Sequence, residues 1–288
     1  MRLANVNGRA KLVVEGGHLD VEQASGGRLP AEPMSLLASW PAVCDWAAGW
    51  SGDVEPSAPE ALGPPVPRPS KVFGVGVNYR DHVQETGMDM PTTPMIFTKF
   101  PSCLAGPTAD VRLSSAYVDW EVELVVVLGR RARHISEAQA FDHVAGFCVG
   151  QDVSDRKLQF SDKPPQFSLG KSLDTFGPIG PTLVTLDELA DPLDLALTCD
   201  VNGERMQDGR TSDMIFAIPE LVAYLASRCT LEPGDLIFTG TPSGVGSMRS
   251  PRRYLQVGDR IHSTIEGLGN LQNRCVADDR NQPSHEFS

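Results

Sequence analysis

Short apolar runs of strand length dominate the chain, and apolar faces long enough for a helix are few. Arg2 to Val6 and Ala10 to Val14 flank Asn7-Gly8, a pair suited to the type I′ turn of a tight hairpin. Leu36, Leu37, Trp40, Val43, Cys44 and Ala47 then fall near helical spacing, with Pro41 as a complication. Pro56 to Pro69 is proline-rich and ends Gly63-Pro64-Pro65-Val66-Pro67-Arg68-Pro69, the composition of a semi-rigid linker. This predicts a small N-terminal module, residues 1–69, and a main body, residues 70–288.

In the body, strands are predicted at Val72 to Val77, Met95 to Thr98, Glu121 to Leu128, Ala145 to Gln151, Leu195 to Val201, Leu236 to Thr239 and Arg260 to Ile265. A second hairpin pair, Asn202-Gly203, follows Val201. Helices are expected to start at Ser136 and near Ser212-Asp213, both good N-caps, the second with Ile218, Leu221, Val222 and Leu225 on one face. The elements do not alternate as βαβ units would, so the expected fold class is a strand-rich α+β body.

Composition narrows the function. The 288 residues carry 25 Lys and Arg against 37 Asp and Glu, a net charge of −12, which disfavours nucleic acid and anionic membranes as partners. The longest purely apolar run, Leu124 to Leu128, is far below the roughly 20 residues of a membrane span. No apolar signal core follows Met1, and Cys44, Cys103, Cys148, Cys199, Cys229 and Cys275 are scattered without a CxxC pair. Reduced thiols in a cytoplasmic protein are expected.

Glycine-containing stretches do not make nucleotide sites. Gly74-Val75-Gly76 has Tyr79 where a dinucleotide fingerprint needs glycine, and Gly170-Lys171-Ser172 has Pro165 where a phosphate loop needs its first glycine. Thr239 to Gly246 lacks Gly-Lys-Ser/Thr altogether. These stretches read as turns whose backbone approaches something closely.

Asp119-Trp120-Glu121-Val122-Glu123-Leu124 is the most informative segment. On a strand, Asp119, Glu121 and Glu123 share a face, with the two glutamates about 6–7 Å apart at Cα. Such a pattern is either the solvated face of a half-exposed strand or a cation site. The apolar run behind it, Val125 to Leu128, points to burial on both faces, where paired carboxylates repel and a divalent cation is the simple remedy. Asp152, ending the apolar run from Ala145, is a third available oxygen, or else a turn or capping residue. Three carboxylates with no adjacent His or Cys select Mg²⁺ or Mn²⁺, with Ca²⁺ as the alternative, and leave about three positions for water or substrate.

The chain resembles the fumarylacetoacetate hydrolase family. The matching pieces are Gly76 to Glu85, Asp119 to Glu123, Asp152 to Gln159, Gly170 to Pro178 and Thr239 to Gly246, in the family's order over residues 70 to 277. The resemblance implies a mixed β-sandwich roll, usually a homodimer, with one divalent metal per site. It puts the metal ligands at Glu121, Glu123 and Asp152, a catalytic His and Glu at His82 and Glu85, and substrate contacts at Arg156, Gln159, Lys171 and Thr241. The founding hydrolase has a further metal-binding Asp upstream of its catalytic His, and none stands just before Asn78 here.

The family acts on small 2-oxo acids. The leading expectation is a catabolic, metal-dependent hydrolase of 2,4-dioxo acids of the acylpyruvate type, working through a metal-stabilised enolate, with His82 activating water and Lys171 stabilising developing negative charge. Decarboxylation of an oxaloacetate-like acid, hydration and isomerisation are the alternatives within the family. A non-catalytic cation-binding protein is the rival from outside it, and it would have no use for His82, Glu85, Arg156 and Lys171. Residues Thr86 to Pro94 have the composition of a loop that could close over the site.

Overall fold

In the computed structural model, which describes residues 1–14, 17–50 and 62–278, Asn7 and Gly8 adopt φ of 53° and 80°, as a type I′ turn requires. Strands Arg2–Val6 and Arg9–Val14 pair across this turn. Asn202 and Gly203 do the same between Ala196–Val201 and Glu204–Arg210. The start of the proline-rich passage, 56–61, and the tail from 279 lie outside the described residues.

Two sheets stack on each other. The central run of the larger is Gly177–Val184, Val144–Gln151, Val122–Leu128, Leu236–Phe238, Val72–Gly76 and Met95–Thr98. Arg2–Val6 pairs antiparallel with Gly177–Val184 and so adds the N-terminal hairpin to its edge. The five-stranded sheet orders Glu204–Arg210, Ala196–Val201, Arg260–Ile265, Gly269–Ala277 and Val111–Leu113. Antiparallel pairs predominate, with parallel pairs such as Leu236–Phe238 beside Val72–Gly76, so both sheets are mixed.

Val122–Leu128 is buried throughout and shows why its sequence is uniformly apolar. Leu124, Val126 and Leu128 join Leu197, Cys199 and Ile265 in the core between the sheets. Val125 and Val127 join Leu36, Trp40, Val43 and Phe238 in a second core on the other face. That second core is roofed by the N-terminal helices Pro33–Ala38 and Trp40–Gly49, which break at Ser39 and place Pro41 in the first turn of the second helix, where its missing N–H costs nothing. N-terminal residues and strands of the main body thus share this second core. Pro65, Val66 and Pro69 are buried, so residues 62–69 pack against the body rather than span a gap.

Two predicted helices are corrected. Ser136 does cap a turn, with the reciprocal Ser136–Gln139 capping box, but Glu137–His143 winds as a 3₁₀ helix. The second helix begins at Ile218, not near Ser212-Asp213, and runs to Arg228 with the expected face buried. Ser212 and Asp213 lie in a separate short turn, because Met214 bridges to Tyr79 and the Ile215 N–H donates to the Asn78 carbonyl, which ties 214–215 to 78–79 before the helix can start.

Candidate active site

Strand register brings the carboxylates together. Val122 opposes Gln151 and Glu123 opposes Gly150, so Glu121, just before one strand, meets Asp152, just after the other. The Asp152 N–H donates to the Glu121 carbonyl at 2.8 Å. Carboxylate oxygens of Glu121, Glu123 and Asp152 lie within 4.8 Å of one another, and all three residues are buried.

Two buried lysines and the largely covered Arg156 brace this cluster. Lys171 Nζ donates to Glu121 Oε2 at 2.7 Å, Asp152 Oδ2 at 2.8 Å and Ser154 Oγ at 2.7 Å. Lys99, which has no exposed side-chain surface, donates to Asp152 Oδ1 at 2.6 Å and to the Lys171 and Phe176 carbonyls. Arg156 donates from Nη2 to Glu121 Oε1 at 2.6 Å, from Nε to Asp119 Oδ2 at 2.9 Å and from Nη1 to Gln159 Oε1 at 2.9 Å. An N–H on each terminal nitrogen of Arg156 remains for a ligand.

The carboxylates respond unequally. Burial alone would raise Glu121, but the Lys171 and Arg156 charges outweigh it and hold the carboxyl down at about 2. Glu123 is pushed well above the ordinary range by burial and by the negative charges of Asp152 and Glu121. Burial opposes the charge on Lys171, yet Asp152 and Glu121 raise its pKa, so the ammonium persists.

This donor set fits a hard divalent cation: buried oxygens only, close together, with one carboxylate left short of positive charge. Asp119, Glu121, Glu123 and Asp152 stand against Lys99, Arg156 and Lys171, four carboxylates against three cations. A dication would turn the site net positive, as binding an anionic acid requires.

The helix Arg80–Thr86 carries the dyad. His82 Nδ1 and Glu85 Oε2 are 2.8 Å apart, one helical turn along a shared face. The glycine-containing loop after Thr239 docks that helix onto the carboxylate strand by backbone amides. Gly240 N–H donates to Glu123 at 2.8 Å, Ser243 to Asp81 at 3.1 Å, Gly244 to Glu85 at 2.9 Å and Gly246 to Asp119 at 2.7 Å. What approaches this loop closely is thus a set of carboxylates. Gly244 has φ of 102°, and a Cβ there would sit 2.0 Å from the Met206 carbonyl oxygen. Gly244→Ala is expected to lose more than the roughly 1–3 kcal/mol of a strained φ. Gly203→Ala, with φ of 80° and open space around it, supplies the strain alone. Thermal denaturation of the two variants checks the difference, and equal shifts would contradict it.

A cavity of about 420 Å³ lies between dyad and carboxylates. Of the predicted site residues, His82, Glu121, Glu123, Arg156, Gln159, Lys171 and Thr241 line it, while Glu85 bonds His82 and Asp152 bonds the two lysines behind the lining. Thr241 lines the cavity with its hydroxyl already engaged. Its hydroxyl donates to the Val122 carbonyl at 2.8 Å and accepts from Gln207 Nε2 at 2.8 Å, so toward a ligand it can act only as an acceptor. Asn78, near the missing fourth acidic position, clips backbone instead: its amide bonds Thr239 and Phe216. Lys99, Asp81 and Gln207 were given no role in the sequence reading, because no spacing marks any of them. Thr86 and Met88, from the predicted closing loop, line the cavity mouth. No helix among the described residues is long and apolar enough to cross a membrane.

Residues 71–276 match the fumarylacetoacetate (FAA) hydrolase C-terminal family. A mitochondrial oxaloacetate tautomerase of Bos taurus is 42% identical over 276 residues, covering 91% of this chain and 88% of the relative. Among solved structures, fumarylacetoacetate hydrolase from Exiguobacterium antarcticum superposes with TM-score 0.82 at 32% identity, covering 96% of this chain and 100% of that one. Maleylpyruvate hydrolase from Sphingobium sp. SYK-6, in complex with manganese(II) and pyruvate, gives TM-score 0.78 at 29% identity over 97% of this chain and 100% of that one.

Proposed function

Because the chain belongs to the fumarylacetoacetate hydrolase family, whose members are enzymes, we propose that it is a divalent-metal-dependent hydrolase of 2,4-dioxo acids of the acylpyruvate type. The observation that carries the reading is the buried Glu121, Glu123 and Asp152 cluster facing the His82–Glu85 dyad across one cavity. A cation store alone would need no dyad.

Glu85 accepts from the Nδ1–H of His82, which leaves Nε2 as the basic nitrogen toward the cavity. His82 takes a proton from water as the water oxygen bonds to C4. The C3–C4 bond breaks, its electron pair passes to C3 and delocalises onto the C2 oxygen, and the proton is returned at C3. The products are pyruvate and a carboxylic acid. A divalent ion held by Glu121, Glu123 and Asp152 supplies, when bound, Lewis acidity toward the oxygens of the 2-oxo acid. The Lys171 ammonium, whose three N–H groups bond Glu121, Asp152 and Ser154, stabilises the developing oxyanion by its charge, and the remaining Arg156 N–H groups with Gln159 hold the substrate carboxylate.

A second reading is favoured by the oxaloacetate tautomerase relatives, which cover most of this chain. In it His82 moves a proton between C3 and the C2 oxygen of oxaloacetate, and no water attacks. Assays of acylpyruvate loss, pyruvate release and the enol–keto interconversion of oxaloacetate, with and without Mg²⁺ or Mn²⁺, separate the two. Pyruvate release from acylpyruvate supports hydrolysis. Metal-dependent tautomerisation without any cleavage would replace it with the second reading.

Lys171→Met should cut kcat/KM about tenfold or more, since it removes a buried positive charge beside the developing oxyanion, and tenfold corresponds to only about 1.4 kcal/mol of the barrier. The fold should survive because Glu121 keeps Arg156 and Asp152 keeps Lys99. Steady-state kinetics with circular dichroism check both. A variant that unfolds while its folded fraction turns over normally would make the lysine structural.

A further inference from the structure

The cavity has two chemically different ends. Glu121, Arg156 and Lys171 form the charged wall. Away from it the lining is Phe97, Phe160, Phe167, Met88, Met95 and Met248. The aromatic rings form a continuous shelf: Phe97 to Phe167 and Phe167 to Phe160 are each 6.0 Å between centroids, the latter edge-on at 80°. Lys171 Nζ lies 5.3 Å from the Phe97 centroid, so the shelf begins where the charged wall ends.

Two features make this end a receptor rather than ordinary core. Phe160 is 58% exposed, Met88 54% and Met248 43%, large apolar side chains left in water at the cavity mouth. The lysine and arginine among the lining residues, Lys171 and Arg156, both belong to the opposite wall and already bond carboxylates. A second carboxylate on the distal part of a substrate would be desolvated there without a counter-ion, whereas an aromatic ring would cover the exposed side chains and stack on the shelf.

We propose that this end is an aryl-binding subsite, and that the preferred substrate is a 2,4-dioxo acid bearing an aromatic or similarly bulky apolar acyl group rather than a second carboxylate. The choice of substrate class rests on the hydrolase reading for the bond cleaved, but the binding preference does not depend on which bond that is.

The test compares benzoylpyruvate with the diacid 2,4-dioxohexanedioate on the Mn²⁺-loaded protein, by calorimetric affinity and by turnover. Benzoylpyruvate should bind about tenfold or more tightly and show a kcat/KM higher by a similar factor. Phe160→Lys, at an exposed position, should narrow the affinity ratio by about tenfold by giving the diacid a counter-charge. Equal or tighter binding of the diacid, or an unchanged ratio in Phe160→Lys, would overturn the aryl subsite. If the affinity order holds but neither acid is cleaved, the subsite stands and the hydrolase reading falls.

Discussion

His82→Ala is expected to lower kcat by about 10²–10⁴-fold, a barrier increase of roughly 2.7–5.5 kcal/mol, because it removes the group that takes the proton from water. His82 is held for that task. Glu85 fixes its ring from the same helix, the Gly244 N–H fixes Glu85, and Ser243 anchors the neighbouring Asp81 through its N–H and hydroxyl. The imidazole lines the cavity without touching the carboxylate cluster through any hydrogen bond. The variant should therefore keep its affinity for Mn²⁺ while losing turnover, and single-turnover kinetics beside metal titration check both. Near-normal hydrolysis would remove His82 from the mechanism.

Lys99→Met should be the most damaging substitution for stability. Unlike Lys171, whose carboxylate partners have other cations, Lys99 also satisfies two backbone carbonyls, of Lys171 and Phe176, in a fully buried setting. Methionine fills the stem but leaves those acceptors and one Asp152 oxygen without a donor. At about 1–3 kcal/mol for each unsatisfied buried group, the loss should reach roughly 3–5 kcal/mol. Tm should fall by on the order of 10 °C. Thermal denaturation of Lys99→Met and Lys171→Met, side by side without added metal, tests the ranking. A larger drop for Lys171→Met would contradict this account of the buried network.

The strands were legible where burial imposes a pattern on the side chains. Met95–Thr98 and Arg260–Ile265 have the predicted bounds, and Val122–Leu128 and Val144–Gln151 differ from theirs by one residue. Gly177–Val184 was not legible: Gly177, Pro178, Gly180 and Pro181 argue for a turn, and only its place between two neighbours in the sheet makes it a strand. Glu204–Arg210 is an edge strand with a largely polar sequence, so only the Asn202-Gly203 turn betrays it. The helix start was misplaced because a good N-cap residue offers one hydrogen bond, and tertiary pairing of 214–215 with Tyr79 and Asn78 competes with it.

The carboxylates could be ranked from alternation and hydrophobicity, but their convergence depends on a pairing register between segments some 30 positions apart in sequence. No local pattern encodes that register. The family resemblance supplied the expectation for His82 and Lys171, whereas Asp152 stood out locally as a carboxylate ending an apolar run, with a turn or capping role as its alternative. Lys99 had neither source. A lysine after a short strand reads as solvent-facing, and only the fold shows it driven inward beneath Asp152.

The central claim is that Glu121, Glu123 and Asp152 hold a divalent ion on which turnover depends. The most direct measurement is Mn²⁺ stoichiometry by electron paramagnetic resonance on chelator-stripped protein, with acylpyruvate cleavage followed in the same samples. One ion per chain is expected, with activity lost on stripping, regained in proportion to ion bound, and both abolished in Glu123→Ala. Full activity after rigorous metal removal, or unchanged Mn²⁺ binding in Glu123→Ala, would contradict it.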